Sequence, residues 1–236
     1  GTVMTNAPAS LIPDINVIPN FPYHEFDHNK YDFGMIVSSR GCPYRCSYCS
    51  QRLLTGTTYR YLSPERIVEQ LDILVNSAGL LSDSLLLMTK TEFVKNMIDV
   101  NVMGTYYAMR RVTKQMIKQK SGKIINISSV VGRYGNSGQT AYSMTKSAII
   151  GLTISAAKEL GRFGITVNAL CPGLINTEMV RDTISDESVE KYANSFPIKR
   201  LGNPEEVAEL VMFLASDKAA YITGASMDIN GGDLMI

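Results

Sequence analysis

An excess of charge of either sign is the first thing this chain lacks. The 23 lysines and arginines nearly balance 22 aspartates and glutamates, leaving a net charge of +1, which gives no overall case for nucleic acid as a partner. Long apolar runs are missing too. No stretch approaches the ~20 apolar residues of a membrane span and no signal peptide is visible, so the chain reads as cytoplasmic, with no membrane partner. Histidine is confined to His24 and His28, and cysteine to four positions. Cys42, Cys46 and Cys49 crowd together while Cys171 stands alone, which does not describe a disulfide framework. With 236 residues, 45% apolar and 19% charged, the chain has the composition of an ordinary globular protein. It is long enough for one α/β domain with a sizeable core, or for one domain plus a smaller unit.

The most informative stretch is IINISSVVGRYGNSGQTAYSMTK (124–146). It opens with an isoleucine-rich run between Gly122 and Ser128, the pattern of a buried strand in a parallel sheet. It closes with Tyr142-Ser-Met-Thr-Lys146 inside an Ala/Ile/Leu-rich segment free of proline until Pro172. In a helix, residues four apart share a face, so Tyr142 and Lys146 point into the same space. An ammonium beside a phenol favours the phenolate, so Lys146 is expected to lower the Tyr142 pKa toward a value useful for proton transfer. Ser129, at the strand's end, can donate to the same substrate oxygen. The trio reads as a device for moving a proton to or from a carbonyl or alcohol oxygen.

These residues sit within a longer series: LDILVNSAG (71–79), DVNVMGTYY (99–107), KIINISSVVG (123–132), AYSMTKSAIIGLT (141–153), GITVNALCPGLINTEM (164–179), RLGNPEEVAELVMFLAS (200–216) and YITGASMDINGG (221–232). In order and spacing the series resembles the short-chain dehydrogenase/reductase family, and within it the β-ketoacyl-[acyl-carrier-protein] reductases. The resemblance implies an α/β fold with a Rossmann-like, doubly wound parallel sheet, and reduction of a 3-oxoacyl thioester by NADP(H), or NAD(H). It implies catalytic roles for Asn101, Ser129, Tyr142 and Lys146, with Asn101 anchoring a water between its main chain and Lys146. Cofactor contacts would come from Asn76, Ala78, Gly79, Tyr142, Lys146, Pro172, Gly173 and Thr177. A homotetramer and an acyl carrier protein as partner are implied as well. The basic series Arg110, Arg111, Lys114, Lys118, Lys120 and Lys123 is either a solvated helix end or, with Arg162, a dock for that acidic carrier.

The first seventy residues read differently. Residues 1–30 are rich in Pro and Asn and read as extended or looped. GMIVSS (34–39) is a plausible strand, followed by RGCPYRCSYC (40–49). Three thiolates spaced x3 then x2 can hold three irons of a [4Fe–4S] cluster. This stretch resembles the radical S-adenosylmethionine enzymes, in the branch carrying an upstream cobalamin-binding domain, and the resemblance makes Cys42, Cys46 and Cys49 the cluster ligands. A zinc site that includes His24 and His28 is an alternative, as are plain free thiols. The chain thus reads as two segments, 1–70 and 71–236, joined near residues 70–75. It is either a reductase, a radical-enzyme fragment, or an inactive chimera of both.

No G-x-x-x-G-x-G occurs in this sequence, so the turn on which a dinucleotide's pyrophosphate rests has no counterpart, and the family's first three strands are not found. A β-α unit is the expected replacement: GMIVSS, a helix over 63–71 capped by Ser63 with Pro64 in its first turn, then DILV. Further strands are expected near 72–75, 123–127, 165–170 and 226–230. Helical periodicity spans 92–119. The polar segment 180–199 reads as a substrate lid. Asn203-Pro-Glu-Glu206 reads as the start of a helix running to about Ser216.

Overall fold

The computed structural model describes residues 39–40, 60–61, 71–177, 180–181 and 185–235. The chain divides into two compact units, 1–71 and 72–236. In the first, β1 (Ser39–Arg40) and β2 (Arg60–Tyr61) form an antiparallel pair, Ser39 opposite Tyr61 and Arg40 opposite Arg60. Ser39 is the one described residue of the expected strand GMIVSS; the remainder, 34–38, lies outside the described residues. The helix expected over 63–71 lies outside the described residues apart from Leu71, as do His24, His28, Cys42, Cys46 and Cys49.

The second unit is built on a parallel sheet of β3 (Ile73–Asn76), β4 (Gly122–Ile127), β5 (Ile165–Pro172) and β6 (Ser226–Ile229), side by side in chain order. Each strand lies within two residues of its expected bounds. The reason is compositional: parallel strands covered on both faces need consecutive apolar residues rather than alternating ones. In β5 every residue from Ile165 to Cys171 is buried. Strand β3 lies at the end of the strand order and keeps Ile73 and Val75 41% exposed.

Parallel neighbours require crossovers, and helices supply them. The periodic 92–119 segment forms α1 (Thr91–Met97), a π-helical stretch Ile98–Gly104, and α2 (Thr105–Gln119). Its buried stripe, Met97, Asn101, Thr105, Met109, Val112 and Met116, follows helical spacing. A one-turn α3 (Val131–Tyr134) precedes the long α4 (Thr140–Leu160), whose buried stripe includes Ala141, Thr145, Ile149, Thr153 and Ala157. The segment expected as a lid carries α5 (Asp186–Ser195). Helix α6 (Pro204–Ala215) starts where the sequence signals it: the Asn203 N–H donates to Glu206 Oε2 at 2.8 Å, with Pro204 in the first turn. Its Leu214 is fully buried in a cluster with Ile125, Leu170 and Ala219, each large side chain contributing about 2 kcal/mol of burial.

Candidate active site

Parallel α/β sheets place ligand crevices beyond the carboxyl ends of their strands, and here that edge is where the unusual side chains collect. The chain leaves β4 at Ser128, whose N–H donates to the Leu170 carbonyl at 2.7 Å, and the Val130 N–H donates to the Pro172 carbonyl at 3.1 Å. These bonds hold the exit of β4 against β5. The Ser129 hydroxyl donates to Pro172 O and accepts from Val131 N, both at a long 3.4 Å. Such weak bonds are readily exchanged for a better one. Helix α4 brings Tyr142 and Lys146 to this edge, with Lys146 Nζ 5.6 Å from the Tyr142 ring centroid. The ammonium donates to the Ile127 carbonyl at 2.9 Å, and Ser128 Oγ donates to the Lys146 carbonyl at 2.7 Å. Helix α4 approaches this closely because residue 132 is glycine. A Cβ there would lie 2.8–3.0 Å from the Lys146 carbonyl carbon, Lys146 Cβ and Ser147 N.

Electrostatics corrects one expectation. Burial pushes the Tyr142 hydroxyl up to about 12, the Asp83 carboxylate adds to the rise, and a hydrogen bond with Ser129 opposes it. Burial outweighs the nearby Lys146 ammonium. The ammonium is itself buried, 4% exposed, and desolvation drops its pKa to about 8. Spacing in the sequence reports that two groups share a face but not how deep they lie, and here depth decides the sign. At neutral pH the site therefore presents a protonated phenol and a predominantly charged ammonium.

A pocket of about 160 Å³ opens at this edge, lined by Ser77, Gly79, Leu80, Ile127, Ser128, Ser129, Tyr142, Lys146, Pro172 and Gly173. Its rear wall is braced by Asn101, 1% exposed. The Asn101 amide accepts from Leu80 N–H at 2.7 Å and donates to Leu80 O at 2.9 Å and Thr145 Oγ1 at 3.0 Å. One side chain thus ties the loop after β3 to α4. The Asn101 main-chain carbonyl, expected to hold a water, accepts the Thr105 hydroxyl at 2.8 Å, one of the two bonds a carbonyl oxygen can take.

Residues 64–233 match the family described as Enoyl-(Acyl carrier protein) reductase. The chain belongs to the short-chain dehydrogenase/reductase family. Among its relatives, the 3-oxoacyl-[acyl-carrier-protein] reductase FabG of Staphylococcus aureus (strain Mu50) is 48% identical over 165 residues, 70% of this chain and 67% of the relative. FabG of Aquifex aeolicus is 46% identical over 166 residues, 70% of this chain and 66% of its own. A solved 3-oxoacyl-[acyl-carrier protein] reductase from Brucella melitensis superposes with a TM-score of 0.69 at 31% identity, covering 78% of this chain and 75% of that one. This chain thus spans about two thirds of the curated relatives' length.

Against the short-chain dehydrogenase/reductase pattern, Ser129, Tyr142, Lys146, Gly79, Pro172 and Gly173 gather at one pocket, with Asn101 behind it. Other expected residues lie elsewhere. Asn76 donates its amide to Asn126 Oδ1 at 2.8 Å, and Asn126 donates to Thr153 Oγ1 at 2.9 Å. The Asn76 side chain thus joins β3 to β4 and, through Asn126, to α4. Ala78 is exposed and Thr177 half-buried, neither lining the pocket. Cys171 is fully buried beside Val130 and Val131, a packing residue. Among the described residues no group of His, Cys, Asp and Glu could hold a metal.

Sequence reading missed four participants: Ser128, Leu80, Asp83 and Gln139. The last two meet near Tyr142, where Gln139 Nε2 donates to Asp83 Oδ1 at 2.9 Å. The LSDS segment after the recognised strand end offered the only signal, a lone carboxylate in an otherwise uncharged loop.

Proposed function

We propose that this chain carries the site of an NADP(H)-dependent 3-oxoacyl thioester reductase. The observation that supports this best is the convergence of Tyr142, Ser129 and Lys146 on one pocket at the carboxyl ends of a parallel sheet. The residues present fit the nicotinamide–ribose end of the cofactor. Backbone forms the walls at Gly79 and Gly173, where a Cβ would stand 3.4 Å from Lys146 Nζ and 2.9 Å from Asn230 Cα. The Lys146 ammonium has three N–H donors and gives one to Ile127 O, leaving donors suited to a ribose diol.

When bound, the cofactor supplies the hydride. The protein supplies the proton and the orientation. Tyr142, protonated at neutral pH, donates to the carbonyl oxygen as negative charge develops there. Ser129 gives up its weak bonds to donate to the same oxygen. Such positioned acid catalysis accelerates proton transfer by about 10²–10⁴-fold. Charge building on the phenol oxygen is stabilised by the neighbouring Lys146 ammonium, which matters more as the phenolate forms than in the resting site. Asn101 acts as a positioning residue, fixing Leu80 and hence the Gly79 wall.

An acyl carrier protein is the substrate's carrier in this reading. Lys120 and Arg162 line a second concavity with Ile117, Phe163 and Gly164, beside the basic end of α2, and a cationic rim suits an acidic carrier. A homotetramer and a cytoplasmic location accompany the reading; among the described residues no helix is long and apolar enough to cross a membrane. The cysteines at 42, 46 and 49 carry no step in it.

The test is NADPH consumption on acetoacetyl thioester by the whole chain and by Tyr142→Phe. The variant keeps the ring's packing and loses the proton donor, so turnover should fall by at least about 10²-fold with unchanged circular dichroism. Near-full turnover in the variant refutes the assignment.

A further inference from the structure

Three consecutive residues at the pocket end of α4 each bond to a different part of the molecule. The Lys146 ammonium reaches the Ile127 carbonyl, the Ser147 hydroxyl donates to the Gly132 carbonyl at 2.6 Å, and the Thr145 hydroxyl meets Asn101. The first two hold α4 to β4 and to α3; Thr145, through Asn101, holds it to the loop after β3. Thr145 is fully buried, and neither the proposed proton transfer nor the cofactor contacts use it. Its hydroxyl accepts from Asn101 Nδ2 at 3.0 Å and donates to the Tyr142 carbonyl at 2.8 Å. Helical threonines commonly turn the hydroxyl back on their own helix, so the second bond alone carries no weight. Its direction does. Thr105, Thr113 and Thr153 each donate to the carbonyl four residues back, those of Asn101, Met109 and Ile149. Thr145 donates to the carbonyl three residues back, and that carbonyl belongs to Tyr142.

The polarity of these bonds is fixed as well. The Leu80 N–H can only donate, so the Asn101 atom it meets is the oxygen and the amide nitrogen faces Thr145. A hydroxyl that accepts there has its single proton left for Tyr142. A Cβ at residue 79 would stand 3.7 Å from the same Asn101 oxygen, so the series of bonds runs from the wall made by Gly79 and Leu80 to the main chain of Tyr142. We propose that Thr145 is a positioning residue for Tyr142: its hydroxyl couples the Asn101 brace to the Tyr142 main chain and holds the phenol in register with the Gly79–Leu80 wall. It rests on the reductase reading and deepens it. A misplacement of ~1 Å can cost about 10²-fold in rate, so the smaller slack left by one missing interior hydrogen bond should cost about tenfold.

The experiment removes the hydroxyl with the nearly isosteric Thr145→Val and restores it with Thr145→Ser, each in the wild-type and in the Tyr142→Phe background. In wild type, Thr145→Val should lower kcat for NADPH consumption on acetoacetyl thioester about tenfold while KM moves less than about twofold. Thr145→Ser should return kcat to within about threefold of wild type. In the Tyr142→Phe background no proton donor is left to misplace, so Thr145→Val should change turnover less than about twofold, with the same loss of urea midpoint as in wild type. A second readout needs no turnover. Exchange of the Leu80 amide proton, followed by NMR, should quicken about tenfold in Thr145→Val relative to that of Val167 in β5, and slow again in Thr145→Ser. Thr145→Ala, which presses no methyl against the Asn101 amide, should behave as Thr145→Val does. Equal losses of turnover in the two backgrounds, an unchanged kcat, no recovery with serine, or unchanged Leu80 exchange would mark Thr145 as a packing residue and overturn the proposal, while the reductase reading stands. A wild-type chain that consumes no NADPH overturns both.

Discussion

Lys146 offers a measurement of the site's electrostatics that needs no substrate. Its ammonium is 4% exposed and has a carbonyl, not a carboxylate, as its partner. Burial lowers its pKa from 10.5 to about 8. At about 1.4 kcal/mol per unit, carrying the charge into the fold costs about 3 kcal/mol at neutral pH. The sign follows from proton counts. Between the folded value near 8 and the unfolded value of 10.5, the unfolded chain holds a proton that the folded chain has released. Stability therefore rises with pH across that window. From about pH 7 to about pH 9.5 the wild-type chain should gain about 2 kcal/mol from this group alone. Above about pH 10 the gain is opposed, because Tyr142, raised to about 12, keeps its proton in the fold while the unfolded phenol loses it. The assay is urea unfolding of wild type and Lys146→Met at both pH values. Methionine fills much of the same buried space without charge, and the Ile127 carbonyl it leaves unpaired shifts both points equally, by about 1 kcal/mol. Only the difference of differences counts, so other titrating groups common to both proteins cancel. Parallel pH dependences in the two proteins would refute a buried, depressed lysine, and with it the claim that the site stores electrostatic energy.

Two substitutions test the scaffold around that lysine. Gly132→Ala places a methyl within 2.8–3.0 Å of the Lys146 carbonyl carbon, Lys146 Cβ and Ser147 N; these cannot rotate aside as a side-chain tip can, so stability should drop by about 1–3 kcal/mol and turnover with it, read by urea midpoint and NADPH consumption. Asn101→Leu fills the same volume but strips partners from the Leu80 N–H, the Leu80 carbonyl and Thr145 Oγ1, a loss of about 2–4 kcal/mol; Asn101→Asp, which keeps the acceptor, should recover part of it, and equal losses in both variants would contradict the brace.

The strands were legible in the sequence because a parallel strand buried on both faces must be written as an apolar run; IINI and ITVNALC admit few other readings. The α6 start was legible because Asn203, Pro204 and Glu206 act on their own backbone within one turn. Tyr142 and Lys146 were found because four residues make about one helical turn. What stayed hidden depended on distance in sequence. Asp83 meets Gln139 across 56 positions and Asn76 meets Asn126 across 50; neither spacing leaves a periodic mark. The same holds for depth. The resemblance names Asn76 as a cofactor contact; its contact with Asn126 left no mark in the sequence, because the partner lies opposite it on the neighbouring strand. The π-helical stretch at 98–104 also left no signature, since the helical spacing of the buried side chains Met97, Asn101 and Thr105 continues through it.

Three buried asparagines explain how the site tolerates an unpaired ammonium. Asn101 fixes the loop after β3, Asn126 joins β3 through Asn76 to Thr153 on α4, and Asn168 donates to Ile222 O and accepts from Ala225 N at the approach to β6. Leucine in any of these places would bury as much surface and avoid desolvating an amide. But apolar packing is non-directional, whereas an amide whose groups are all paired specifies one geometry and penalises every other. Each brace runs between a strand or its exit loop and the element next to it, so their combined effect is to fix α4 and the flanking loops against the sheet. A loosely packed helix would let Lys146 slide outward to water and recover its solvation. With α4 fixed by Asn101, Asn126 and the close approach at Gly132, that escape would require breaking buried amide bonds at about 1–3 kcal/mol each, comparable to the roughly 3 kcal/mol the lysine would regain. The charge therefore stays where the developing phenolate needs it.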